Sequence, residues 1–173
     1  MDFSKIDDFA ARADKEVGRF MLSFSLSPER LLMDKFELPK LDWKSVAYLD
    51  KKGIDKVPDD RRGIYAFAIC VNGVVLPAHS YVLYIGIAGK NSHRSLKARY
   101  RDYFSESKVL PRVKVANMIA KWRTVLRFYY APIENDVTSE QLEALEKQLN
   151  GALMPPVSVG DLEASLKRKR RAF

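Results

Sequence analysis

Residues 63–86, GIYAFAICVNGVVLPAHSYVLYIG, constrain this chain more than any other stretch. Ile64, Ala66, Ala68 and Cys70 alternate with Tyr65, Phe67, Ile69 and Val71, so a strand over 63–71 is apolar on both faces. Such a strand belongs inside a sheet or under cover on both sides. Asn72-Gly73 is the favoured pair for a two-residue hairpin turn. Pro77 breaks the return run before YVLYIGIA at 81–88 forms the next strand. The chain therefore commits to an antiparallel strand pair, and each strand carries a tyrosine in a Gly/Ile setting, Tyr65 and Tyr84.

The other elements follow from periodicity and caps. TVLRFYYAP at 124–132 predicts a third strand. Thr138-Ser139-Glu140-Gln141 has the form of a capping box and opens a helix running to about Leu153, where Pro155-Pro156 stops it. A helix is expected over 93–104 with Ser92 as cap, and another over 112–122. Ser27 and Pro28 mark the start of a short helix that ends before Pro39. Residues 40–62, with DKKGIDKVPDDRR, read as a connector. At the N-terminus Phe3, Ile6, Ala10, Ala13, Val17, Phe20 and Phe24 recur at spacings of three and four, which predicts a helix over 1–25. Its stripe suits a helix laid on its own domain, the reading favoured here, or a seam for a homodimer or a partner protein. The expected fold is α/β of the α+β kind. A small three-stranded antiparallel sheet flanked by helices occupies 61–160, after a helical extension and connector at 1–60 and before a basic tail at 161–173.

Charge narrows the partners. Thirty Lys+Arg stand against 22 Asp+Glu, a formal charge of +8 on 173 residues. Such a balance points to a polyanion or serves solubility alone. Between Lys90 and Arg123 there are ten basic residues and two acids, so the excess is local. Lys167 to Arg171 is a continuous basic run, a DNA clamp or a solubilising tail. One cysteine, Cys70, excludes an intramolecular disulfide, and with only His79 and His93 a structural zinc site is not expected. No run is long enough to span a bilayer, and MDFSKIDDFAARADKE is too acidic and polar for a signal peptide. The expectation is no membrane partner and a cytoplasmic location.

Two helices carry residues in unusual places. Leu142, Leu145, Leu149 and Leu153 define the apolar face of the helix at 139–153, and Glu146 points into that arc. A carboxylate there needs an ion-pair partner or a metal, or must reach the rim. On the helix at 93–104, Arg99 borders the apolar side formed by Leu96, Tyr100, Tyr103 and Phe104, one turn from both Leu96 and Tyr103.

Gly63-Ile64-Tyr65, Tyr84-Ile85-Gly86, Leu96-Lys97-Ala98-Arg99 with Tyr103-Phe104 after it, and Glu146 nine residues ahead of Pro155 together resemble the GIY-YIG nuclease family over residues 63–158. The family's three-stranded antiparallel sheet with surrounding helices agrees with the element order above. The resemblance implies a metal-dependent endonuclease that hydrolyses DNA phosphodiester bonds. Tyr65 and Tyr84 would face one another across neighbouring strands, hydroxyls toward the attacking water, with Tyr65 as general base. Arg99 would hold the scissile phosphate, Glu146 would bind one Mg²⁺ (or Mn²⁺), and Tyr103 stands where the family places a further polar site residue. Lys90, Arg94, Lys97 and Arg101 would join Tyr103 in binding nucleic acid. The chemistry agrees: Mg²⁺ takes one carboxylate plus waters, and a phenol of pKa about 10 needs nearby positive charge to act as a base.

Three departures bear on the site. The insert between the tyrosine motifs is longer than in compact members. Ile87 stands where many members have lysine, with Lys90 as its substitute. Ser158 stands in for an asparagine after the prolines. The missing lysine and asparagine equivalents favour the alternative, a nucleic-acid-binding module on a weakly active or inactive scaffold, and the intact set of Tyr65, Tyr84, Arg99 and Glu146 opposes it. No dedicated sequence-reading module is visible, so biological pathway and target specificity stay open.

Overall fold

Strand β2 (Gly63–Val71) lies inside the sheet, as its two apolar faces require. It pairs antiparallel with β3 (His79–Ala88) on one side and β4 (Leu126–Pro132) on the other. A further strand, β1 (Lys44–Ala47), adds to the far side of β4, giving a four-stranded antiparallel sheet of order β1-β4-β2-β3. The structure is a computed structural model that describes residues 4–32, 40–71, 77, 79–89 and 94–158. Among these, six α-helices accompany the sheet: α1 (Ser4–Glu16), α2 (Pro28–Leu31), α3 (Leu96–Arg101), α4 (Glu106–Val109), α5 (Val113–Trp122) and α6 (Ser139–Leu153). The class is α+β. The Asn72-Gly73 turn, the Ser92 cap, Pro39, His93 and the basic tail lie outside the described residues.

Alternation along β2 splits the core in two. Tyr65 and Phe67 point to one face, packing with Leu83, Phe128 and Tyr130 from the sheet, Leu96 and Tyr100 from α3, and Val115 and Met118 from α5. Ile64 and Ala66 point to the other, packing with Ile85, Ala131 and Ile133 beneath Leu142 and Leu145 of α6. The capping box opening α6 is complete: Gln141 N–H donates to Thr138 Oγ1 (3.2 Å), and Thr138 N–H donates to Gln141 Oε1 (2.9 Å). After α6, Met154 takes a left-handed conformation (φ 41°), and the chain turns around the β3 edge, where Val157 N–H donates to Leu83 O (2.9 Å).

Three expectations change. The sheet has four strands, not three, because β1 sits within the stretch read as a connector. Its four residues, KSVA, bury one side chain fully, Val46, and that is too short to show an alternating pattern. The sheet core therefore begins before residue 61. The helix expected over 93–104 is shorter: Ser95 caps it, its Oγ accepting from Ala98 N–H (3.0 Å), and Asp102–Phe104 continues as a 3₁₀ turn. The N-terminal helix ends at Glu16 and is not laid on the domain. None of its residues is buried, and Phe9 is 74% exposed. Ala10 and Ala13 leave its stripe little area to bury. The chain first touches the core at Leu22, and Phe24 meets Tyr81 (ring centroids 5.5 Å). Ser27 precedes Pro28 at the start of α2 but makes no side-chain cap bond.

Candidate active site

Tyr65, Arg99 and Tyr103 meet on the α3 side of the sheet. Tyr65 points off the middle of β2 and is fully buried. Arg99, near the end of α3, donates through Nε–H to Tyr65 Oη (2.9 Å). Tyr103, one turn further in the 3₁₀ segment, shares a hydrogen bond with the same Oη (2.8 Å) and is itself buried. Tyr48, immediately after β1, donates to Tyr103 O (2.5 Å), so the unexpected strand helps to fix this turn.

Tyr84 joins them from β3, half-buried, its ring centroid 6.1 Å from that of Tyr65 and 6.4 Å from that of Tyr103. The two motif tyrosines are diagonal rather than directly opposite: Tyr65 pairs with Gly86, and Tyr84 with Phe67. Between Phe67 and Ala68 the register shifts, and Leu83 is the extra residue of a β-bulge. Leu83 and Tyr84 consequently both turn to the Tyr65 face.

The motif glycines are steric necessities. A Cβ on Gly63 would run into the carbonyl of Ala131 on β4. A Cβ on Gly86 would stand 2.6 Å from Tyr65 Oη and 2.9 Å from Tyr84 Cε1. Gly86→Ala is expected to displace the Tyr65 hydroxyl and lower stability by about 1–3 kcal/mol, as overpacking does. Urea unfolding checks this, and a variant as stable as the parent would show that the tyrosines have room to move.

Cations surround the cluster. Asp102, only 3% exposed, accepts from Arg94 Nη2 and Lys108 Nζ (2.5 Å each), and Arg99 Nη1 is 3.6 Å away. Three cations on one carboxylate leave the locality positive. The guanidinium of Arg112 lies over the Tyr103 ring, 4.5 Å from its centroid.

Burial pushes the Tyr65 phenol well above 10. Tyr103 and Tyr84 push it further, and Arg99 pulls the other way without reversing the result. Tyr65 is therefore held protonated at neutral pH. Burial also pushes Tyr48 up to about 12. In the unfolded chain these phenols ionise near pH 10. Between that value and the folded pKa the unfolded state binds fewer protons, so stability falls as pH rises. It is expected to be full below about pH 10 and to drop by about 1.4 kcal/mol per pH unit above it from Tyr65 alone. Unfolding titrations on either side of that pH check this, and flat stability would contradict it.

The remaining expected residues are placed differently. Lys97 Nζ is 3.4 Å from Asp55, and Arg101 Nη1 is 3.8 Å from Asp59 at the surface. Arg94 is engaged by Asp102. Ser158 is not available to a ligand: it is buried, accepts from Ile85 N–H (2.8 Å) and donates to Ile85 O (3.2 Å), fastening the returning chain to β3. Lys90 lies outside the described residues. Glu146 is half-buried on α6, the helix that covers the opposite face of the sheet from Tyr65. Sequence reading missed Asp102 and Arg112. The first had a signal, its i,i+3 spacing from Arg99. Arg112 had none, because the turn of α4 separates it from Arg99 in the chain.

No group of three or more His, Cys, Asp or Glu side chains suited to a metal is found among the described residues. A hydrated Mg²⁺ asks for less, one carboxylate with waters. The carboxylate on α6 in question is Glu146, which is half-buried. One turn further, Asn150 is buried and its Oδ1 has no donor, while its Nδ2 donates to Glu146 O (3.0 Å). Asn150 Oδ1 is an orphaned oxygen one turn from Glu146 on α6. No helix among the described residues is long and apolar enough to cross a membrane. No family model, no curated protein and no solved structure matches the chain.

Proposed function

We propose that this chain is a metal-dependent endonuclease of the GIY-YIG kind, hydrolysing phosphodiester bonds in DNA. The observation that carries the reading is the bond from Arg99 Nε to the buried Tyr65 hydroxyl, which leaves the Arg99 side chain 28% exposed beside the half-buried Tyr84. An arginine fixed at Nε presents its other nitrogens as a fork to a phosphate and remains charged at any working pH.

In this mechanism Arg99 holds the scissile phosphate and offsets the charge that builds on its oxygens during attack. Tyr84 reaches the phosphate or the attacking water with its hydroxyl. Tyr65 does not start as a base, because burial keeps it neutral. It positions Arg99 and passes hydrogen-bond polarisation to Tyr103. Asp102 keeps Arg99, Arg94 and Lys108 from repelling one another. Glu146, on α6 across the sheet from Arg99, would hold the metal for a substrate that reaches both faces; when bound the metal would supply a water of lowered pKa and Lewis-acid stabilisation. The basic segment around α3 to α5 tracks the phosphate backbone without reading sequence.

The binding-module alternative draws on one observation, the complete burial of Tyr65. A plasmid-nicking assay separates the two. Conversion of supercoiled plasmid with Mg²⁺ or Mn²⁺, abolished by EDTA, is the expected result. DNA binding without cutting of plasmid, branched or single-stranded substrates would replace the enzyme with the binding module.

A further inference from the structure

Arg112 has no part in the motif set, yet it is the most oddly placed cation in the described structure. Its Nε–H donates to Lys108 O (3.0 Å), which fixes one edge of the guanidinium. The plane lies over Tyr103, 4.5 Å from the ring centroid. Nη1 and Nη2 are both buried, and neither has a hydrogen-bond partner. A guanidinium withdrawn from water with its terminal donors unmade costs free energy that the ring contact offsets only in part. Arg94, Lys108 and Arg99 already share Asp102, the buried carboxylate of this locality. Arg99 lies 6.0 Å from the same Tyr103 ring, so both arginines border one aromatic platform, itself hydrogen-bonded to Tyr65.

We infer that Arg112 is a second phosphate-binding residue, taking a backbone phosphate that flanks the one held by Arg99. The paired terminal nitrogens match two phosphate oxygens, and phosphate binding would require the α4–α5 turn to open enough to uncover them. Tyr103 then acts as the spacer that sets the distance between the two phosphate sites. This inference rests on the reading of the chain as a nucleic-acid enzyme and deepens it by naming where a second phosphate is gripped.

The test is binding, kept apart from cleavage. A fluorescent duplex oligonucleotide is titrated in EDTA across a salt series, with wild type, Arg112→Met, Arg112→Gln and, as a surface control outside the basic segment, Arg12→Met on α1. Each phosphate contact releases counterions and contributes about 0.9 to the slope of log affinity against log salt. Arg112→Met and Arg112→Gln are expected to flatten the slope by about that amount and weaken binding about tenfold at low salt. A role in folding alone would lower the melting temperature and leave the slope as it was. An unchanged slope in a folded variant overturns the inference, as does failure of both variants to fold. Wild-type binding that shows the Arg112 slope but never leads to cutting removes the nuclease reading and leaves the phosphate contact standing. No wild-type binding at all overturns both.

Discussion

Replacing Arg99 by methionine is expected to slow DNA cleavage by about 10²–10³-fold, the usual consequence of removing one preorganised donor from a developing oxyanion. The loss should fall on the chemical step and not on the fold. Tyr65 and Tyr103 still satisfy one another at 2.8 Å, and Asp102 still holds Arg94 and Lys108. What disappears is one hydrogen bond to Tyr65 and the ion pair of Arg99 Nη1 with Asp102, worth about 1–3 kcal/mol of stability, while methionine keeps the apolar stem. Arg99→Lys should recover little. An ammonium keeps the charge, but it cannot bond Tyr65 at one nitrogen and fork onto a phosphate with two others. Single-turnover nicking by both variants, alongside their melting temperatures, checks the prediction. If Arg99→Lys cuts like wild type, the geometry at Nε is irrelevant and Arg99 acts only as a diffuse positive charge.

Tyr65→Phe separates positioning from base catalysis at the same place. A positioning role predicts that cutting falls because Arg99 loses its anchor, with no change in the shape of the pH profile below about pH 10. Tyr65 is kept neutral by burial, so it has no ionisation in that range to lose.

Much of this was legible before any coordinates. Interior β2 follows from apolar residues at every position of 63–71, and α6 follows from Thr138 and Gln141. Arg99 could be placed near Tyr65 because helical spacing puts it beside Leu96 and Tyr103. The rest depended on distances in space that local pattern does not encode. β1 is a four-residue edge strand whose partner, β4, lies some eighty residues away, as in the pairing of Lys44 with Tyr130. The Leu83 bulge decides which face Tyr84 takes, yet VLYIG carries no mark of it. Arg112 reaches Tyr103 through the one-turn helix α4. The exposed α1 shows the converse error: a heptad-like stripe is necessary for burial but insufficient, because its alanines at 10 and 13 offer little area to bury.

Glu146→Ala is expected to reduce metal-dependent cutting by about 10³-fold or more, several kcal/mol of transition-state stabilisation being what a catalytic metal supplies. Stability should move by about 1 kcal/mol or less, the scale for a half-exposed carboxylate on a helix. That contrast decides between roles. A carboxylate kept for the fold costs stability when it is removed, and activity falls only as far as the fold does. A carboxylate kept for a metal costs activity with the fold intact. Position shapes the test, because α6 packs on the face of the sheet opposite the Tyr65 cluster and a metal there must meet a substrate that also reaches Arg99. The leucines beside Glu146 face Ile64, Ala66 and Ile85 rather than Arg99, so any effect of Glu146→Ala on Arg99 would have to pass through the sheet. Asn150→Leu extends the argument. If the buried Oδ1 contributes to holding the cation, its removal should raise the Mg²⁺ concentration needed for half-maximal cutting, while saturating metal restores the rate. Persistence of full Mg²⁺-dependent cutting in Glu146→Ala would place the metal on other oxygens and leave Glu146 as a residue of the α6 packing face.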